Sequence, residues 1–421
     1  MLRRDFVKRA AVLASARCFA PAAEPGPNLV MIVAAGWRAA SLDSGGLTPN
    51  LQRLAEQGMQ LERVYSCYPL EAPSQAALIT GRFPFAAGVL SNNAGLVASQ
   101  PSIAQHLKNG GYKTAFIGEW RLGGFGRSAS EPRRHGFDTW MSGDTAADAA
   151  VDFIQQNNQG PFFLFFSSST PRSLHSLSAR LNNQTRIEVR PNIPEDYQTQ
   201  AHAELTLYRA LCSRLDSDIG RLLNTIDEQR QRKTVVAFTS DYGDMLGSQG
   251  LEYGNAPYEE AVRVPLIIRG PQLGAGSRNE LLVSQADIMP TLLGLTGIDA
   301  PEGMQGRDLS ALIAGRGAIR PESVYSMGEI GNGAEWRMVV RGLDKLVVDR
   351  DLNVSHLYNL AQDPYELENR ASDPSLELKR DELTALLKDW MRRTGDGMDP
   401  SGLKRRPLPV RPGAPPELIR R

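Results

Sequence analysis

Five continuous apolar runs separated by amphipathic helical patterns constrain this chain more than any other feature. The first, Asn28-Leu-Val-Met-Ile-Val-Ala34, shows no polar alternation, as a strand buried on both faces requires. Runs of the same kind recur at Lys113 to Gly118, Pro161 to Ser167, Thr234 to Ser240 and Pro265 to Arg269. Helical patterns lie between them. Thr48 to Gln57 opens with a cap residue and a first-turn proline, Ser102 to Asn109 stops at Gly110-Gly111, and Thr199 to Asp227 is long and amphipathic. Strands alternating with helices predict an α/β fold, a mostly parallel central sheet sandwiched by helices, with functional loops at the carboxyl ends of the strands.

Beyond about Pro321 the texture changes. Short strand-like runs at Ser323 to Met327, Arg337 to Arg341 and Lys345 to Val348, then a helical pattern from Arg380 to Arg393, predict a small C-terminal antiparallel sheet with one helix. The division expected is an α/β domain over 27–315, an α+β subdomain over 320–398 and a Pro/Arg-rich tail over 400–421. At the other end, Arg3-Arg4, the small apolar run Ala10 to Ala16 and Ala20-Pro21-Ala22 resemble a twin-arginine export signal over residues 1–23. This implies an exported protein, periplasmic or extracellular. No later stretch approaches the ~20 apolar residues of a membrane span. Basic and acidic residues balance at 47 each, so no net field draws the protein to nucleic acid. With Cys18 inside the signal, Cys67 and Cys212 lie too far apart in sequence to suggest a disulfide framework or a thiolate metal site.

A series of collinear motifs carries a family resemblance. They are Pro27 to Val33, Thr48-Pro-Asn-Leu to Gly58, Ala72-Pro-Ser-Gln-Ala-Ala-Leu-Ile-Thr-Gly-Arg82, Gly110 to Gly118, Thr239-Ser-Asp241, Tyr258-Glu to Gly270, Asp287-Ile-Met-Pro-Thr-Leu-Leu293 and Leu357-Tyr-Asn to Glu366. In this order they resemble the sulfatases of the alkaline-phosphatase superfamily along nearly the whole mature chain. The resemblance implies a formylglycine, made from Cys or Ser in a C/S-x-P-S-R motif, acting on a divalent cation such as calcium. Register is set by Pro73-Ser74 and Thr80-Gly81-Arg82, which puts Glu71 at the nucleophile position and Gln75 at the motif arginine. The alternative register through Cys67-Tyr68-Pro69 gives the wrong distance to Thr80-Gly81-Arg82; Cys67 reads better as a small buried residue.

The metal positions implied by the resemblance fall on Ala35, Gly36, Asp241 and Tyr242, leaving one carboxylate where at least three are expected. The Lys and His of the family's G-K-W-H-L-G block become Glu119 and Arg121, the His after the middle strand becomes Arg172, and a later Lys aligns with Asn255. His175 is a candidate displaced histidine, though a loop residue by default. Three readings follow. The first is a pseudoenzyme with no cofactor. The second is a sulfuric or phosphoric ester hydrolase rebuilt around Glu71, Glu119 and Asp241. The third is a binding module for a sulfated or other anionic glycan through Arg82, Arg121 and Arg172. In each, unpaired charges in a partly buried cleft are costly, so Arg121 or Arg172 is expected to pair with Glu71, Glu119 or Asp241.

Overall fold

The computed structural model describes residues 26–43, 47–123, 131–143, 145–172, 189–229, 231–317, 319–331 and 333–397. The segment over residues 1–23 expected to be an export signal, Cys18, the tail expected over 400–421 and His175 lie outside the described residues.

Eight strands form the larger sheet: β1 (Asn28–Ala35), β2 (Met59–Tyr65), β3 (Lys113–Gly118), β4 (Thr139–Met141), β5 (Phe162–Pro171), β6 (Thr234–Ser240), β7 (Arg263–Arg269) and β8 (Ser277–Ser284). Their order is β4-β3-β5-β1-β6-β7-β2-β8. Neighbours run parallel except at β7, which is antiparallel to both β6 and β2. The continuous apolar character of β1 has a direct cause in this order. It lies between β5 and β6, and all eight of its residues are buried. Leu29, Met31 and Val33 face one core, while Val30, Ile32 and Ala34 face the other, which is covered by the long helix Gln198–Glu228. Each of these side chains larger than alanine, fully buried, stabilises the fold by about 1.5–3 kcal/mol.

The smaller sheet, β9 (Ser323–Gly328), β10 (Trp336–Arg341), β11 (Asp344–Val348) and β12 (Val354–Asn359), is antiparallel in the order β12-β11-β10-β9. Tyr325, Met327, Val339 and Leu346 from its inner face pack with Leu387 and Trp390 of helix Glu377–Thr394. The same cluster takes in Cys67, Tyr68, Ala77 and Phe83, so the small sheet backs directly onto helix Glu71–Thr80. A second tie is electrostatic. The fully buried Lys345 of β11 reaches Glu366 at 2.6 Å and Glu259 at 3.2 Å. The helix that carries position 71 is thereby wedged between the two sheets.

Candidate functional site

Every residue of helix Glu71–Thr80 is buried. Pro73 sits in its first turn, where a missing N–H removes no intrahelical bond, and Gly81 ends it in the left-handed conformation at φ 63°. Glu71 is its first residue, so the carboxylate meets the electropositive end of the helix. Around this end the larger sheet delivers the carboxyl termini of four strands: Ala35 and Gly36 after β1, Asp241 after β6, Arg172 after β5, and Glu119 and Arg121 after β3.

Two backbone contacts align these loops. Arg172 N donates to Ala35 O at 3.1 Å, and Asp241 N donates to Ala34 O at 3.1 Å. Gln75 braces the third loop: its amide nitrogen donates to Glu119 O at 3.0 Å and its amide oxygen accepts from Arg121 N at 2.8 Å. The position that holds an arginine in the family motif therefore serves here as a strut for the β3 loop.

Asp241 is 6% exposed and turns its Oδ1 to the protein backbone. That oxygen accepts from Gly36 N at 2.9 Å and Tyr242 N at 2.7 Å. Its main-chain carbonyl accepts from Ser74 Oγ at 2.6 Å, Ser66 Oγ at 3.0 Å and Gln285 Nε2 at 2.9 Å. Burial pushes the carboxyl up from its ordinary value to about 6, against the opposing pull of the two N–H donors and of Arg172 and Arg121.

The charges pair as their types require. Arg172 forms an ion pair with Glu71, which is 6% exposed, and its guanidinium also donates to Tyr242 OH at 3.4 Å. Arg121 lies 3.6 Å from the other Glu71 oxygen and 3.3 Å from Glu119. A cavity of about 570 Å³ opens over this cluster, with Leu70, Arg121, Arg172, Tyr242, Asn255 and Glu329 among its lining. Asn255 holds the rim: it adopts φ 69° and its Oδ1 accepts from Glu329 N at 3.1 Å.

The resemblance implied a divalent cation at this place, and the residues present do not fit one. A hard dication needs several converging anionic oxygens. Ala35 and Gly36 bring none, Asp241 Oδ1 is engaged by two N–H groups, and position 242 is a buried phenol. Gly36 has φ +75°, and a Cβ there would stand 3.3 Å from Arg172 Cβ, so side chain and backbone both resist an acid at this position. Cys67 offers no substitute nucleophile. It is fully buried with Sγ 3.3 Å from Ser284 Oγ, and burial pushes the thiol up to about 12.

Arg82, the third anion-binding candidate, is not brought to this cluster. It follows the C-terminal cap of the helix whose N-terminus forms the site, roughly 15 Å away along the axis at 1.5 Å per residue. Among residues that the motifs did not point to, Ser169, Tyr253 and Glu329 line the cavity; they come from three separate segments and carry no local signature.

A doubly covered, mostly parallel sheet with a small antiparallel sheet behind it, and a cluster at the strands' carboxyl ends, defines an alkaline-phosphatase-superfamily architecture. The family model described as Sulfatase matches residues 27–298, and that described as N-sulphoglucosamine sulphohydrolase, C-terminal, matches residues 255–393. The chain belongs to the sulfatase family. It is 28% identical over 419 residues to the ulvan-active sulfatase of Formosa agariphila, covering 88% of this chain and 82% of that protein. It is 24% identical over 511 residues to the N-acetylglucosamine-6-O-sulfatase of Bacteroides thetaiotaomicron, covering 92% and 90%. A solved structure in complex with its substrate D-glucosamine-2-N,6-O-disulfate shares the fold at TM-score 0.77 and 22% identity, covering 90% of this chain and 100% of that one. The phosphonate monoester hydrolase of Agrobacterium radiobacter does so at TM-score 0.75 and 20% identity, over 87% and 96%.

Proposed function

We propose that this protein is an exported, non-hydrolytic member of the sulfatase family that keeps the family's cleft for binding a glycan. The observation that carries the reading is the ion pair between Arg172 and Glu71, flanked by Arg121, at the place where the resemblance puts a cation and a formylglycine. A guanidinium is a permanent cation with a fixed hydrogen-bonding fork, so it can neutralise Glu71 without a metal. It cannot activate a nucleophile as a dication does. Preorganised charge supplies much of the rate in ester hydrolysis, where one lost donor already costs roughly 100- to 1000-fold.

The rebuilt-hydrolase reading asks Glu71, Glu119 and Asp241 to act as acid, base or ligands. Glu71 and Glu119 are neutralised by Arg172 and Arg121, and Asp241 Oδ1 is held by backbone donors, which leaves that reading the weaker one. A glycan ligand is suggested by the relatives, which are described as acting on ulvan and on N-acetylglucosamine 6-O-sulfate. Within the cavity, the 58% exposed ring of Tyr253 beside Asn255 and Glu329 supplies an aromatic face with polar groups around it, a combination suited to a saccharide.

The test is turnover of an aryl sulfate by the purified protein in added calcium or magnesium, with intact mass measured on the same sample. The expected outcome is no turnover and an unmodified mass. Turnover that disappears in Glu71→Gln would overturn the reading.

A further inference from the structure

Two guanidinium groups reach the cavity, and both are already engaged. Arg172 is paired with Glu71, and Arg121 lies between Glu71 and Glu119. Behind them stands Asp241, and at the rim stands Glu329, whose carboxyl is raised by burial and by the neighbouring Glu335. The two guanidinium groups are thus shared between the carboxylates of Glu71 and Glu119, with Asp241 close enough to feel both. A sulfate entering this cluster has to displace the Glu71 carboxylate to take its place on Arg172.

The geometry points to Glu71 as a specificity-determining residue: its carboxylate is an internal anion that occupies Arg172, so the cleft admits a saccharide carrying no sulfate at this position and excludes one that does. The inference rests on the non-hydrolytic reading above and names the ligand class for that site. Three features support it. Glu71 is nearly buried, so solvent screens its side of the pair little; its backbone is fixed at the N-terminus of a fully buried helix; and the arginine it holds leans over Gly36, where no side chain competes for the space. Asn255 and Glu329 line the rim, where the hydroxyl groups of a sugar would meet their polar groups. Carboxylates accept from sugar hydroxyls and repel sulfates, which gives selection in one direction.

Calorimetric titration at fixed ionic strength tests this with inorganic sulfate and with N-acetylglucosamine 6-sulfate as probes. The wild-type chain is expected to bind neither below tens of millimolar. Glu71→Gln should bind inorganic sulfate at least ~10-fold more tightly, because the amide releases Arg172 while Arg121 keeps Glu119, and Glu71→Gln/Arg172→Gln should lose that gain. Equal sulfate affinity in the wild type and Glu71→Gln would overturn the proposal, as would a gain that survives Arg172→Gln. If the variants do not fold, the wild type decides alone: millimolar or tighter binding of N-acetylglucosamine 6-sulfate contradicts the proposal and its absence supports it. Sulfate binding without turnover would sink this inference and leave the non-hydrolytic reading standing, whereas turnover of the sulfated sugar would sink both.

Discussion

Replacing Arg172 by alanine should destabilise the fold well beyond an ordinary surface change. Removing one partner of a fully buried ion pair costs about 3–5 kcal/mol, because the other charge stays behind without compensation. Here the Glu71 side chain is 7% exposed but that of Arg172 is 31% exposed, so part of the pair is screened by water. Arg121 also remains, 3.6 Å from Glu71 and 29% exposed. These two corrections bring the expected loss to about 2 kcal/mol. With an unfolding entropy of about 2.1 cal/mol/K per residue over roughly 400 residues, that is a fall in melting temperature of about 2–3 °C. Thermal denaturation of Arg172→Ala, Glu71→Gln and the double variant completes a cycle whose coupling should exceed about 1 kcal/mol. The double variant should be no less stable than Arg172→Ala alone, since the stranded carboxylate is gone. Single changes within about 0.5 kcal/mol of wild type, adding without coupling, would refute the claim that the pair fills the site.

Asp241 gives a prediction with a pH sign. Its carboxyl is raised from 3.8 to about 6, so the folded state holds the proton more tightly than the unfolded chain, and this group's contribution to stability falls as pH rises between those values. Asp241→Asn keeps the acceptor for Gly36 and Tyr242 N–H and removes the charge; it should be the more stable protein at pH 7.5, by at most ~3 kcal/mol, with the advantage vanishing near pH 4. A variant less stable than wild type at pH 7.5 would mean that the charge is held by a partner beyond the two N–H groups and the two arginines. Lys345→Met should be severely destabilising at neutral pH, by about 3–5 kcal/mol, because it leaves Glu259 and Glu366 buried together; denaturant titration showing a neutral effect would contradict that. N-terminal sequencing of the natural protein should begin near residue 23, and Met1 or Leu2 on the mature chain would remove the export proposal.

The parts of this molecule that could be read from its residues are those governed by a local rule. β1 lies between two strands and is therefore apolar throughout, which makes it visible without knowledge of its neighbours. β2 and β8 have no such signature: Gln60, Glu62 and Arg63 interrupt one, and Ser277-Arg-Asn-Glu280 opens the other, because each is only partly covered. Three-residue β4 is too short to show a period.

At the site, the register of the resemblance together with the cost of unpaired buried charge gave the expectation that Arg121 or Arg172 would pair with Glu71, Glu119 or Asp241, and Arg172 does pair with Glu71. What register could not convey was direction. Arg82 lies a few residues from Glu71's helix in sequence, yet that helix carries it to the far end. Nor do the residues around Gly36 reveal that its left-handed backbone lies under Arg172, a contact between chain segments 136 positions apart. Glu329, Tyr253 and Ser169 reach the cavity only through the tertiary fold, so no local pattern marks them.

A guanidinium stands where the family resemblance calls for a metal, and calcium stoichiometry tests this most directly. The purified protein, equilibrated with millimolar calcium, passed through a desalting column and measured by mass spectrometry of its metal content, should retain well under one ion per chain, and its melting temperature should not change with calcium or a chelator. One tightly held calcium per chain, lost in Asp241→Asn, would contradict it.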